Sequence, residues 1–565
     1  MNNAFSPGII ITEKEGMSVY NPSVSSSVGA IAGPFQWGPV KEIRTIANEQ
    51  ELVSTFWKPD NDTAETFFSA TNFLSYSGNL KVVRALNGAT GLNATSGATG
   101  VLVENETDYT ENHSSGISGT TWVAKYPGVL GNSLKVSICD AEKFATWTYK
   151  AYFDSAPGTS TYAANIFAGA NDEVHVAVID EDGLISGTAG TVLETFAFVS
   201  KASDAKTDTG ENNYYKDVIN TKSEWIWWGN HTAGATAPGT AWGSVVPGAT
   251  GFATFGATGP IIESLRWGVS GNTLASADEI AAYDLFKDEE VNIDLVITGG
   301  ASQTAAEDVV DNLAEVRKDV VVFLSPPKAA VVDNKGQEVT DITTHRNLFN
   351  SSTYAVMDSG WKYQYDKYND KYRWIPLNAD IAGLCARTDL TNDPWFSPAG
   401  PTRGFVKNVV KLAWSPSKAS REDLSKIGVN AVITKAGQGV VLWGDKTFTT
   451  KPSALDRINV RRLFLALEKS IKIAAEYTLF ELNDSFTRAQ FTARTEQFLR
   501  EVKGRGGLYD YAVVCDETNN TAQVIDTNSF VGDIFLKPSK SINWVRLNFV
   551  AVGTGVSFSE LQAVR

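Results

Sequence analysis

The alternation of apolar and polar positions starts at the very beginning of the chain. After Pro7 and Gly8, Ile9, Ile11 and Glu13 face one way and Ile10, Thr12 and Lys14 the other, which predicts a strand over 9–13 placed ahead of any core. Such a strand needs a sheet edge to pair with. Beyond the Asn21-Pro22 turn, residues 25–33 predict a strand of small side chains, closed by Phe35-Gln36-Trp37-Gly38-Pro39-Val40. Asn48 with Glu51 forms the signature of a capping box opening a short helix, and Phe67, Ala70, Phe73 and Leu74 mark a second helix that Gly78 ends. Residues 80–86 then read as a buried strand. From residue 89 to about 271 the chain is rich in Gly, Ala, Thr and Ser, with strand-like runs such as Val174-His175-Val176-Ala177-Val178, which predicts β-rich insertions. Further on, 294–298 is a strand, Val309, Leu313 and Val316 are one helix face, and 320–324 is a second strand, the order of a right-handed parallel crossover.

The C-terminal part opens with a hairpin around Gly437-Gln438-Gly439. The longest predicted helix follows, from about 456 to 477, with Ile458, Leu463, Leu467, Ile471 and Ala474 as its apolar stripe and Arg457, Arg461, Lys469 and Lys472 mostly off it. A helix over about 490–503 and strands over 511–515 and 542–549 come next. After Gly553-Thr554-Gly555 the residues 556–560 form a second extended arm, so both ends read as donor strands. No period of 20 to 50 residues recurs, which argues against a solenoid.

Length and charge narrow the classes. A chain of 565 residues is too long for one core and implies three or four domains. No run approaches the roughly 18 apolar residues of a membrane span, and the N-terminus lacks a basic region followed by an apolar core, so neither secretion by that route nor anchoring is expected. Cys139, Cys385 and Cys515 lie too far apart for a metal motif or a disulfide framework and read as buried thiols of a reducing cytoplasm. The net charge of −15 argues against wrapping nucleic acid. It is uneven: 19 Lys and Arg stand against 16 Asp and Glu from Arg421 onward, and 30 against 48 before it. An acidic partner should therefore face the C-terminal quarter.

Candidate chemistry is sparse. Gly299-Gly300 between a strand and a helix is the best phosphate cradle, but it lacks the G-x-G-x-x-G spacing, and a tight turn is the plainer reading. His113, His175, His231 and His345 have no ligand spacing, and no G-x-S-x-G elbow or activated cysteine is visible. No cofactor, metal or catalytic residue is expected. The cluster Trp225-Ile226-Trp227-Trp228 suits a core better than a sugar-binding face, and the aromatic run around 361–374 suits a half-buried hairpin better than nucleic-acid stacking.

Several of these segments together resemble the contractile tail sheath proteins of large tailed phages. The SPG-strand arm leads into Val28-Gly29-Ala30-Ile31-Ala32-Gly33 and Phe35-Gln36-Trp37-Gly38-Pro39 as in that family, and Leu80-Lys81-Val82-Val83-Arg84-Ala85 follows at the family's distance. Residues 124–136 match its "AKYPGxxGNxLxV" segment. Gly437-Gln438-Gly439, Leu442-Trp443-Gly444-Asp445-Lys446-Thr447 and Ile458-Asn459-Val460-Arg461-Arg462-Leu463 match its C-terminal signature, with Lys446 where Arg is more usual. From about 88 to 271 the likeness is patchy.

The resemblance implies an α/β (α+β) multidomain fold: a donor arm (1–20), the N-terminal part of a core (21–88), an inserted β-rich outer segment (89–271), an α/β middle domain (272–420), a C-terminal core domain (421–555) and a C-terminal arm (556–565). It implies a non-enzymatic subunit that polymerises helically around an inner tail tube. The arms at Ile9, Ile10, Ile11, Thr12, Glu13 and at Val556 and Phe558 would join neighbours, and Arg457, Arg461, Arg500, Lys503 and Arg505 are the tube-facing candidates. Its partners would be copies of itself, the tube protein, and baseplate and tail terminator proteins, with no nucleic acid and no direct membrane insertion. It would be assembled in the host bacterial cytoplasm and reside in the virion tail. A phage-tail-like bacteriocin sheath, a glycan-binding adhesin or surface-layer protein, and an α/β hydrolase are the alternative readings.

Overall fold

The computed structural model describes residues 27–165, 171–232, 252, 254–256, 259–450 and 452–543. Its centre is a seven-stranded sheet built from residues 29–85 and 295–430. β1 (Gly29–Pro34), β2 (Ile43–Ile46) and β3 (Leu80–Ala85) come from the first sixty described residues. The chain then leaves to form β4 (Trp122–Ala124), β5 (Leu134–Cys139), β6 (Glu173–Asp180), β7 (Thr191–Ser200), β8 (Ile226–Trp228) and β9 (Ile261–Ser264). It returns with β10 (Leu295–Ile297), β11 (Val321–Leu324), β12 (Ala355–Asp358), the hairpin β13 (Trp361–Asp366) and β14 (Lys371–Pro376), β15 (Lys411–Leu412) and β16 (Val429–Asn430). A second hairpin, β17 (Val432–Lys435) and β18 (Gly439–Leu442), precedes β19 (Leu508–Val514) and β20 (Asp533–Pro538).

The central order is β16-β12-β11-β10-β1-β3-β2, parallel throughout except for β2 against β3. Alternate residues feed opposite cores: Ile31, Val321 and Phe323 pack on one face with the helices Ala64–Leu74 and Asn378–Thr391, while Ala30, Ala32, Val322 and Leu324 pack on the other. The small residues of β1 have a steric cause. A Cβ on Gly29 would lie 2.6 Å from the Phe73 ring, and one on Gly33 2.7 Å from the Thr66 hydroxyl, because the helix Ala64–Leu74 lies directly on the strand. Asn48 caps the helix Glu49–Phe56 by accepting from the Glu51 amide, and the Glu51 carboxylate accepts from Ala47 N–H.

Two sequence expectations need correction. The helix face read through Val309, Leu313 and Val316 is interrupted, since Gln303–Asp308 widens into a π-helix over Val309–Ala314. The wider turns bury Val309, Val310, Leu313 and Ala314 and rotate Val316 to 69% exposure. The helix expected from about 490 spans Ser485–Gly504, 20 residues, and exceeds the 19-residue Ile458–Glu476 that was expected to be longest. Asp484 starts it early, accepting from Thr487 N–H as an N-cap.

The outer segment holds the antiparallel sheet β7-β6-β5-β9 and the pair β4-β8. Its two ends are stitched together: the Asn87 amide donates to the Gly271 carbonyl at 2.9 Å, the Asn87 side chain donates to the Thr273 carbonyl at 3.0 Å, and Leu92 bridges Val269. At the other extreme, the helices Ile458–Glu476 and Ser485–Gly504 enclose a separate small core with β19 and β20 through Leu463, Leu467, Leu499, Val502 and Leu508.

Candidate assembly interface

The recognisable sequence segments meet in space. Arg84, fully buried on β3, donates to the Gly38 carbonyl at 2.9 Å and to the Pro127 carbonyl at 2.8 Å, with the Gln36 carbonyl at 3.4 Å. Three motifs far apart in the chain thus converge on one guanidinium. Burial pulls its pKa down to about 9. Beside this junction Trp37 packs on Trp225 and edge-on to Tyr126, joining the outer segment to the central sheet. The C-terminal signature closes a second junction. Asp445 accepts from Arg457 Nη1 at 2.8 Å, from Ser397 Oγ at 3.0 Å and from Ser541 Oγ at 2.6 Å, and its carbonyl receives the Ile458 amide at 2.8 Å. Lys446 donates to the Ser425 carbonyl at 2.6 Å. Arg462, one turn into the helix, is buried and paired with Asp389. Of these polar groups the sequence had singled out Arg457, as a tube-facing candidate, and the motif likeness had marked Asp445, Lys446 and Arg462; Ser397, Ser425, Asp389 and Ser541 carried no signal.

A two-stranded antiparallel ribbon, β19 against β20, packs against the helix Ser485–Gly504. Ile534, Leu536, Tyr511 and Val513 point to the helices, whereas Phe535 and Tyr509 face out at 61% and 70% exposure. The ribbon has no third strand among the described residues. The arm residues Ile9, Ile10, Ile11, Thr12, Glu13, Val556 and Phe558, and most of the strand expected over 542–549, lie outside the described residues.

Family models place these elements. The phage tail sheath protein central domain matches residues 272–448, the phage tail sheath C-terminal domain 450–551, and the tail sheath protein Gp18 domain III N-terminal region 27–85. The tail sheath protein of Salmonella phage ViI is 32% identical over 99% of this chain and 97% of its own. That of Enterobacteria phage T4 is 33% identical over 98% and 99%. This chain belongs to the contractile phage tail sheath family. Among solved structures, the sheath tail protein of Listeria innocua shares the fold with a TM-score of 0.55 at 11% identity, covering 91% of this chain and 92% of that one. The contracted helical sheath of the anti-feeding prophage aligns at 0.50 and 12% identity, covering 97% and 99%. The chain is a structural sheath subunit of a virion tail.

In the sheath subunit the cationic candidates divide by whether an internal partner holds them. Arg457 is bound to Asp445, and buried Arg461 lies over Tyr354 and donates to Thr353. Lys503 pairs with Asp510 at 2.9 Å and Arg505 with Asp393. Arg500 is exposed, and so is Arg494 six residues earlier on the same helix, a residue the sequence reading passed over. The chemistry considered and set aside also has a place. The turn at Gly299-Gly300 lies against Glu65, whose Oε2 is 2.6 Å from where a Gly300 Cβ would be, an anionic neighbour unsuited to phosphate. Trp227 and Trp228 are buried, Trp227 stacking on Tyr109 at 4.3 Å under Lys125, so the cluster is core. The run around 361–374 forms the hairpin β13–β14, with Lys362 buried against Asp380 at 2.8 Å. His175 sits among Phe153, Phe198 and Phe144 and accepts from or donates to backbone groups only, and burial lowers its pKa. The three thiols are free and buried. Among the described residues no group of three His, Cys, Asp or Glu side chains could hold a metal, and no helix is long and apolar enough to cross a membrane.

Proposed function

We propose that this sheath subunit polymerises by strand exchange, residues 9–13 of one copy and 556–560 of another adding to the two edges of a neighbour's β19–β20 ribbon. The observation that supports this reading is the ribbon itself. Two strands alone are marginally stable in water, and an uncovered apolar-faced edge is a template for further pairing. Backbone pairing of this kind is head-to-tail and does not close on itself, so it yields an open helix. Each added strand contributes hydrogen bonds of roughly 0.5–1.5 kcal/mol apiece, with buried Ile surface at about 25 cal/mol per Å². One link is weak; several per subunit make a mesh.

Within that polymer the helix Ser485–Gly504 faces the inner tube, with Arg500 and Arg494 meeting acidic tube residues, and the outer segment 89–271 projects away. Baseplate and terminator proteins bound the two ends. Assembly takes place in the host cytoplasm, where buried thiols stay reduced. The subunit works without enzymatic activity, cofactor, nucleic acid or membrane insertion. Contraction is a rigid-body shift into denser packing from a kinetically trapped extended state, and it drives the tube through the bacterial envelope. Electron microscopy of the full chain beside one lacking residues 1–20 tests the reading: tubes from the first and well-folded monomers from the second are expected. Tubes of equal length from both would sink it.

A further inference from the structure

The roots of both terminal segments are held by carboxylates, and those carboxylates are held by one helix. At the N-terminal root, Asp294 Oδ2 accepts the Val28 amide at 3.0 Å, while Asp294 Oδ1 receives Lys469 Nζ at 2.7 Å. Lys469 also donates to Asn292. At the C-terminal root, Asp445 Oδ2 accepts Ser541 Oγ at 2.6 Å, while Asp445 Oδ1 receives Arg457 Nη1 at 2.8 Å. Lys469 lies on the helix Ile458–Glu476 and Arg457 is its N-cap residue. Twelve residues of helix separate them, about 18 Å at 1.5 Å per residue.

The rest of the helix is suited to bearing load. Its buried Leu463 and Leu467 lock into the small core that carries β19 and β20, and Arg462 is bonded to Asp389 and to the Cys385 carbonyl. Val28 is fixed on its other side as well, its carbonyl receiving the amides of Asp294 and Leu295 at 2.9 and 3.0 Å. We propose that the helix Ile458–Glu476 is a strut that joins the two arm roots to each other and to the acceptor ribbon, with Asp294 and Asp445 as its terminals. Force entering a subunit through one arm is then shared between the central sheet, which the chain enters at β1, and the helix, which passes it to the other arm or the ribbon. Asp294, Lys469, Asp445 and Arg457 are positioning residues, and the aspartate of the Leu-Trp-Gly-Asp-Lys-Thr signature gains a role.

This inference rests on the strand-exchange reading, and shear separates the two. Tubes of the full chain, of Lys469→Met, of Ser541→Ala and of the double variant are passed through a fixed constriction and their lengths measured by electron microscopy. Protomer melting is recorded in parallel. The two links of the strut are in series, so each single variant should shorten the sheared tubes several-fold at a temperature well below its own melting point, and the double variant should be no shorter than the worse single. Lys469→Met, which leaves the buried Asp294 carboxylate without its ammonium, should also lower the protomer's melting temperature. Lys469→Arg should restore length. If the single variants misfold, Asp294→Asn combined with Lys469→Met replaces them: it cuts the same link without leaving a buried charge and should shorten the sheared tubes several-fold. Equal lengths throughout, or losses that add when Lys469→Met and Ser541→Ala are combined, would each overturn the strut. Tubes that survive removal of residues 1–20 would instead overturn strand exchange.

Discussion

Arg84 concentrates the cost of building one domain out of another. Its guanidinium satisfies the Gly38 and Pro127 carbonyls from segments more than forty residues away on either side, in a site without water access. Arg84→Met should leave those acceptors buried and unpaired and lower unfolding stability by about 3 kcal/mol, read as a reduced urea midpoint of the full chain. Asp358, at the end of β12, works through protonation instead. It is fully buried, accepts from Ser325 Oγ at 2.6 Å and from Gly360 N–H at 2.8 Å, and burial pushes its pKa up to about 8. A carboxyl that ionises near 4 unfolded and near 8 folded binds more protons in the native state between those values. Stability therefore falls as pH rises through this window and levels off above about 8. Asp358→Asn, uncharged throughout, should flatten that fall; melting curves across the window check it, and an unchanged slope would refute the assignment.

Elements show where sequence reading succeeds and where it stops. Strand periodicity exposed β3, β10, β11 and the hairpins, because each buries a regular face against a helix or a second strand. The π-turns over Val309–Ala314 were invisible, since nothing in the side-chain pattern distinguishes a 3.6-residue turn from a wider one until packing selects it. The early start at Asp484 was legible as an Asp N-cap but was hidden by the apolar residues Tyr477, Leu479, Phe480 and Leu482 before it. The arms read as unpartnered strands in the sequence, and they lie outside the described residues. The carboxylates at their roots were not legible, because Asp294 and Val28 are 266 residues apart. β1 offers a direct test of why its residues are small. Gly29→Val should push branches into the Phe73 ring and cost about 1–3 kcal/mol, measured as a lower melting temperature.

At the scale of the whole molecule, charge and topology are divided between the two ends. The C-terminal quarter carries 19 cations against 16 anions in a chain of net charge −15, and Arg494 and Arg500 stand exposed on its last long helix. Arg494→Glu with Arg500→Glu should leave self-assembly intact and weaken co-sedimentation with tubes, and wild-type co-sedimentation should fall as salt rises. Binding of the double variant at wild-type strength would move the tube contact elsewhere. The outer segment has the opposite character. Because the Asn87 amide meets the Gly271 carbonyl, the chain leaves and re-enters the central sheet at nearly one point. To the sheet, everything between is a loop whose ends already touch, and its length adds little closure entropy. A subunit built this way is modular: the inserted segment can be enlarged, trimmed or exchanged for a foreign domain with adjacent termini, while the central sheet keeps its geometry.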